Sequence, residues 1–314
     1  MGGIQSSTNQ QLERTLGNNF PDGIKFVGFE NRGNICYANA TIQCMFYCEQ
    51  FREKVLKAKS VDGVKNDMFK GDYHQDCHEF LNWYLNEIDD VLKKEKKNKY
   101  KNKEDVPNPN LNPTNWLQEI FQGKAISRTE CQKCKNVTER KEPFFDLSVD
   151  LQSNTSLTYC LQQMSQPEIL NGKDQFRCDK CEDLQDATKK YLIEEFPKTL
   201  IIHLKRFKYD ENYKRMIKVN TKVAFPFEIK LKPNDREDRQ EQMYQLYGIV
   251  IHLGQGEQYG HYVSIIKIKN LWYLFDDETI INYNERDIRD FFGSNHRSAC
   301  AYMLFYEKLN QSQQ

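Results

Sequence analysis

Two short cysteine pairs constrain this chain more than any other feature. Cys131-Gln132-Lys133-Cys134 and Cys178-Asp179-Lys180-Cys181 each hold two thiols at the spacing of a metal knuckle. Four thiolates in two such pairs suit one tetrahedral Zn2+, each pair spanning one edge of the tetrahedron. If they share an ion, two distant parts of the chain must meet. The gap between the knuckles is longer than in a compact ribbon, so they are expected to cap two hairpins that reach toward each other. With every ligand position taken by Cys, none is left for water, and the zinc is structural rather than catalytic. The bland alternative is two chance pairs. A redox role is weaker still, because neither knuckle sits at a strand-to-helix junction.

The periodicity changes along the 314 residues. Tyr37, Ala40, Cys44, Tyr47, Cys48 and Phe51 recur at three- and four-residue spacing, which predicts one helix from Ile35 to Phe51. A second helix fits 75–92, with Cys77, Leu81, Tyr84, Ile88 and Val91 on one face. The Lys/Asn-rich run at 93–110 has no apolar period and reads as a surface loop. Asn112-Pro113 is expected to start a short helix that Gly123 ends. After Gly123 the texture turns β-branched and aromatic, at 143–151, 187–195, 199–207, 216–229, 243–253, 261–268, 271–276 and 299–306. Helices first and strands after predict an α+β fold with a mostly antiparallel sheet.

Composition narrows the classes. Lys+Arg and Asp+Glu are equal at 45 each, so no net charge draws the chain to nucleic acid or membrane. A zinc-dependent nucleic-acid binder would need a basic face at the knuckles. Glu130, Asp179, Glu182 and Asp183 stand there instead. The first twenty residues lack an apolar core segment, so no secretory signal is expected. No run approaches the roughly 18 apolar residues of a membrane span. The ten cysteines therefore point to a reducing compartment, the cytoplasm or also the nucleus. Met1-Gly2-Gly3-Ile4-Gln5-Ser6 fits the myristoylation pattern, so membrane contact is expected only if Gly2 is acylated, and one chain binds weakly.

Cys36 in "NRGNICYANATIQC" follows a Gly-Asn turn at the start of the first predicted helix. A thiolate there is stabilised by the helix dipole, and the first-turn backbone N–H groups are free to meet an oxyanion. Asn31 offers an amide donor nearby. The other reading of Cys36 is a small core side chain. Six histidines compete for the base. His203 and His252 lie on strands, His74 and His78 flank a helix start with His78 read as facing solvent, and His296 is in a polar loop. His261 follows the glycine-bearing loop 254–260 and opens a strand. That loop is one residue off a phosphate-binding pattern and leads into a strand, so phosphate binding is rejected. A two-residue turn at Lys269-Asn270 would pair Ile268 with Leu271 and set Asp276 on the face of His261, one diagonal step away. Asp277 would face the other side. A three-residue turn would reverse the two.

Together, "GFENRGNICYANATIQC", "YHQDCHEFL", "LIIHLKRFKYD", "GQGEQYGHYVSII", "WYLFDDE" and the two knuckles resemble the ubiquitin-specific proteases, a papain-like cysteine peptidase family. The resemblance runs from about residue 26 to 307. It implies a helical thumb at about 26–123 and antiparallel β palm and zinc-tipped β fingers at about 124–307. Between a leader at 1–22 and a tail at 310–314, residues 23–309 would form a single catalytic domain. It implies Cys36 as nucleophile, His261 as general base, Asp276 as the acid orienting His261, with Asp277 in reserve, and Asn31 as oxyanion donor. The activity implied is hydrolysis of the (iso)peptide bond after the C-terminal glycine of ubiquitin, with ubiquitin and ubiquitinated proteins as partners. "MFYCEQFREKVL", "IFQGKAISRTECQKC" and "DLSVDLQSNTSLTYCLQQM" resemble the subgroup stimulated by WD40-repeat activator proteins. The competing reading is a catalytically weak or dead ubiquitin-binding scaffold of the same fold, against which the intact Cys36, His261 and Asp276 weigh.

Overall fold

The spacing of apolar residues builds the helical half much as read, with corrections at its ends. In the computed structural model, which describes residues 26–57, 69, 73–101, 114–256, 259–294 and 298–309, helix α1 (Cys36–Phe46) buries Cys36, Tyr37, Ala40, Cys44 and Met45. The single helix expected through Phe51 is broken at Tyr47-Cys48 and resumes as α2 (Glu49–Lys57). Arg52 from α2 donates Nη1 to the Phe46 carbonyl at 3.1 Å, satisfying an acceptor that the break exposes. Helix α3 is Cys77–Lys101. Asp76 caps it, Oδ1 accepting the backbone N–H of His78 at 2.8 Å and of Glu79 at 3.0 Å. The loop expected from residue 93 is therefore helical as far as Lys101. Lys and Glu are good helix formers and no Gly or Pro interrupts the run, so the helix propagates without an apolar face. Helix α4 (Trp116–Phe121) is closed by a reciprocal cap between Asn115 and Gln118, so its start is Asn115 and not Asn112-Pro113. Gly123 does not end it but opens the strand Gly123–Cys131. A Cβ at Gly123 would lie 2.1 Å from Phe144 Cζ, so only glycine lets that ring lie across the strand. The leader with Gly2, residues 102–110 and the tail 310–314 lie outside the described residues.

The β half centres on an eight-stranded sheet. Its path runs Thr279–Tyr283, Leu271–Asp276, His261–Ile268, Gln242–Leu253, Ala299–Lys308, Thr199–Leu204 and Asp146–Val149, with Glu228–Leu231 also paired to Gln242–Leu253. The pairs are antiparallel except Asp146–Val149 with Thr199–Leu204. Gln242–Leu253 is buried on both faces. Val250 joins the core under α1, α3 and α4, while Ile249 and Ile251 join a second core on the opposite face. The strand expected over 216–229 is three pieces: Arg215–Lys218, Val223–Ala224 and Glu228–Leu231. The fully buried Arg206 causes part of this. Its guanidinium donates to the carbonyls of Val219, Thr221, Ala301 and Phe292 at 3.1, 2.8, 2.9 and 3.1 Å. Carbonyls turned to a buried cation are unavailable to a sheet ladder, and Pro226 supplies no N–H.

A separate four-stranded sheet, in the order Val137–Phe144, Gly123–Cys131, Ala187–Glu195, Glu168–Leu170, forms the fingers. The first knuckle is the tip of the hairpin joining Gly123–Cys131 to Val137–Phe144. The second is the tip between Phe176–Cys178 and Asp183–Gln185. Both knuckles thus cap hairpins, as their spacing required. Among the described residues no helix is long and apolar enough to cross a membrane.

Candidate active site

Gly33 and Asn34 both have positive φ, 93° and 53°, and turn the chain so that Cys36 begins α1. Asn31 Oδ1 accepts the Ile35 N–H at 3.1 Å and holds this turn. Cys36 is 2% exposed and is the first residue of α1, where a backbone N–H has no carbonyl one turn earlier in the helix to bond. His261 opens the strand His261–Ile268. The turn at Lys269-Asn270 has two residues, with Ile268 opposite Leu271 and Ser264 opposite Phe275. That register puts Asp276 where the alternation placed it: its Oδ1 meets His261 Nε2 at 2.5 Å.

Asp277 has a different environment. Its φ of 50° swings it into the next turn, between Asp276 and its partner Thr279. Its carboxylate accepts Asn31 Nδ2 at 2.9 Å and Asn39 Nδ2 at 2.7 Å, and lies 3.9 Å from His261 Nε2. Asn31 therefore sits beside the turn that precedes Cys36 with one amide hydrogen committed to Asp277. Its second amide hydrogen is the one available for an oxyanion.

The electrostatics separate Cys36 from every other cysteine in the helical half. Burial works against its thiolate most strongly. Hydrogen bonds from His261, from His74 and from the Tyr262 backbone, with the His261 charge, outweigh burial and bring the thiol down to about 6. His261 is pushed up to about 9, first by its hydrogen bond to Cys36, against burial, and then by Asp276. Cys44 and Cys77 are buried without such partners, and their thiols are pushed up. Near neutral pH the site is a thiolate beside an imidazolium. With Nε2 of His261 committed to Asp276, Nδ1 is the ring nitrogen left to meet Cys36.

The remaining histidines divide by position. His74 contacts Cys36 and stacks on Tyr262, ring centroids 5.4 Å apart at 12°. Nothing in its local sequence assigns it a role. Its one signal was its place two residues before the Asp76 cap. His78 does not face solvent: it stacks on His203 at 3.7 Å and bonds Asp146 Oδ2 at 2.8 Å. His203 is structural, its Nδ1 bonded to Ser148 Oγ at 2.9 Å. His252 is wholly buried behind the site. His296 lies outside the described residues.

Far from this pair, the ligand atoms of Cys131, Cys134, Cys178 and Cys181 all lie within 4.8 Å of one another, with Cys134 Sγ 3.5 Å from Cys178 Sγ. A tetrahedron of sulfurs about 2.3 Å from zinc has edges of about 3.8 Å. The cluster fits such an ion, and its donor set is closed to solvent ligands.

A buried thiolate at a helix start, an imidazolium on a facing sheet and a carboxylate behind it define a cysteine hydrolase. The family pattern "Ubiquitin carboxyl-terminal hydrolase" matches residues 27–68 and 57–306. The chain belongs to that family, as its motifs led one to expect. It is 36% identical to ubiquitin carboxyl-terminal hydrolase 4 of Arabidopsis thaliana, over 96% of this chain and 99% of the relative. It is 33% identical to ubiquitin carboxyl-terminal hydrolase 12 of Salmo salar, over 94% of this chain and 93% of the relative. Among solved structures, the SAGA Ubp8/Sgf11/Sus1/Sgf73 DUB module bound to ubiquitin aldehyde aligns with TM-score 0.72 at 23% identity, over 91% of this chain and 70% of that one. That match establishes the shared fold.

Proposed function

We propose that this chain is a thiol-dependent deubiquitinase that cleaves the (iso)peptide bond after the C-terminal glycine of ubiquitin. The observation that carries the assignment of roles is the meeting, at the first residue of α1, of Cys36 with His261, whose Nε2 is held by Asp276 Oδ1 at 2.5 Å; their contact pushes the thiol down and the imidazole up. The Cys36 thiolate attacks the glycine carbonyl carbon, and the oxygen gains the electron pair. The Cys36 N–H and the free Asn31 amide hydrogen stabilise that oxyanion. His261 gives its Nδ1 proton to the leaving lysine amine as the C–N bond breaks, leaving a thioester. Water then attacks the thioester, His261 takes its proton, and the thiolate departs with ubiquitin's carboxylate released. Asp276 keeps the ring oriented and its Nε2 protonated throughout.

Zinc at Cys131, Cys134, Cys178 and Cys181 would hold the two finger hairpins together and take no part in the chemistry. Ubiquitin would occupy the space between thumb, palm and fingers, and WD40-repeat proteins would raise turnover. The test is a ubiquitin probe carrying an electrophile at its C-terminus. Covalent capture by the wild-type chain that is lost in Cys36→Ala is expected. Reversible binding without capture by the wild type would make the chain a scaffold instead.

A further inference from the structure

Lys218 ends the strand Arg215–Lys218, half-buried, and points inward to a place crowded with acceptors. Its Nζ lies 2.7 Å from His252 Nδ1, 3.1 Å from the His252 carbonyl, 2.7 Å from the Gly254 carbonyl and 2.6 Å from the Ser298 carbonyl. Burial works against the charge and lowers the Lys218 pKa, but three carbonyls and a ring nitrogen around one amine leave room for no lone pair, so this is an ammonium whose three N–H groups are shared among four acceptors. A nitrogen that accepts from an ammonium carries no proton. His252 is therefore neutral and its single ring proton sits on Nε2. Its pKa, pushed down to about 3 by burial first and by the Lys218 charge next, agrees.

The contacts lead to the catalytic strand. His252 pairs with Tyr262, and Leu253 with His261. Gly254 and Gly260 meet closely: a Cβ at Gly254, where φ is 128°, would lie 2.8 Å from Gly260 Cα. On its other side Gly260 rests on the His252 ring, where a Cβ would be 2.3 Å from Nε2. Gly260 is the residue before His261. The Lys218 ammonium thus fixes Gly254 through its carbonyl. Through the His252 ring it also fixes the floor under Gly260. Among the described residues the hairpin that carries Lys218, Phe207–Asp210 with Arg215–Lys218, pairs with no other strand, so this ammonium also ties it to the sheet.

We propose that Lys218 is a positioning residue of the hydrolytic reaction, which presets His261 by clamping Gly254 against Gly260 and fixing His252 as its Nε2–H tautomer. The proposal rests on the functional reading above. It assigns a regulatory joint to a lysine that touches neither nucleophile nor base. Loss of the clamp frees Gly254 and Gly260 to sample other backbone conformations, of which few present His261 to Cys36. The binding surface for ubiquitin stays, so the defect falls on kcat.

The experiment has two arms on the full chain. In the first, two-dimensional nitrogen–proton NMR of the wild-type imidazoles is expected to show His252 as the neutral Nε2–H tautomer with Nδ1 accepting a hydrogen bond. A His252 found as the Nδ1–H tautomer, or protonated near neutral pH, overturns the proposal whatever the variants do. In the second, Lys218→Met is compared with wild type on a fluorogenic ubiquitin C-terminal substrate. A kcat about ten- to a hundredfold lower is expected, with KM within about threefold, as for a catalytic group displaced by about an ångström. A folded Lys218→Met with unchanged kcat, or with the whole loss in KM, overturns it. If the wild-type chain does not hydrolyse the substrate, the functional reading fails, and the tautomer still decides where the Lys218 proton points.

Discussion

The thiolate at Cys36 can be titrated directly, and the structure says what removes it. From an ordinary 9.0 to about 6 is three pH units, which at about 1.4 kcal/mol each is about 4 kcal/mol favouring thiolate over thiol. Near pH 7 a thiol titrating at about 6 is about nine-tenths ionised, whereas one at 9 is about one-hundredth ionised. Burial of Cys36 opposes ionisation, and hydrogen bonding by His261 is the largest contribution on the other side. His261→Ala should therefore return the thiol to its ordinary range or above, since burial remains. His74→Ala should raise it by less. The assay is the ultraviolet absorbance of the thiolate against pH, read as the difference from Cys36→Ala. The same pair sets the pH–rate profile of kcat/KM. Activity rises as Cys36 loses its proton through about 6, and falls as His261 loses its own through about 9. A wild-type thiolate midpoint near 9, or one that His261→Ala leaves in place, would refute the ion-pair reasoning.

Four further outcomes are expected. Asp276→Ala should lower kcat by about a hundredfold or more, because the ring loses its orienting partner. Asp277→Ala should chiefly lower the melting temperature, as two amides lose their acceptor at about 1 kcal/mol each, and a larger kcat loss there would reverse the two roles. Metal analysis should find about one zinc per chain, and Cys131→Ser should cost stability and ubiquitin affinity while leaving the Cys36 titration unchanged; an equally stable metal-free chain would remove zinc from the account. A purified WD40-repeat partner should raise kcat more than it lowers KM, and kinetics indifferent to every such partner would end that expectation.

The parts of the fold that were legible in the sequence are those set by local rules. Alternation and a two-residue turn located Asp276 relative to His261, because in a hairpin register is fixed by the turn. The knuckles announced their hairpins because four soft ligands must converge. The misreadings arose where a non-local contact decided. Nothing local in 216–229 says that a buried Arg206, earlier in the chain, will claim the carbonyls of Val219 and Thr221. The run after residue 92 lacks an apolar face, and apolar period was the criterion for a helix there, yet propensity alone carried α3 to Lys101. His74 and Lys218 stayed hidden for the same reason as Arg206. Each acts on residues far away in the chain.

The seam between the helical and β halves decides whether these parts make one site, because Cys36 and His261 stand on opposite sides of it. Apolar packing brings the halves together, but polar side chains set the alignment. Asp277 accepts from Asn31 and Asn39, and its carbonyl takes the Phe29 N–H at 3.0 Å. Asp76, while capping α3, takes the Tyr302 hydroxyl at 2.6 Å and that of Tyr262 at 3.4 Å. His78 on α3 meets Asp146 on the sheet. Apolar contacts tolerate small slips, whereas a hydrogen bond is lost within about half an ångström. Each such bond contributes about 1 kcal/mol net, so the aligned arrangement exceeds its misaligned neighbours by only a few kcal/mol. A gap of that size is within reach of a bound protein that prefers one alignment, since a tenfold preference is worth about 1.4 kcal/mol. The polar seam, and the Lys218 clamp behind it, are thus where a partner that never touches Cys36 can change how often the thiolate and the imidazolium face each other.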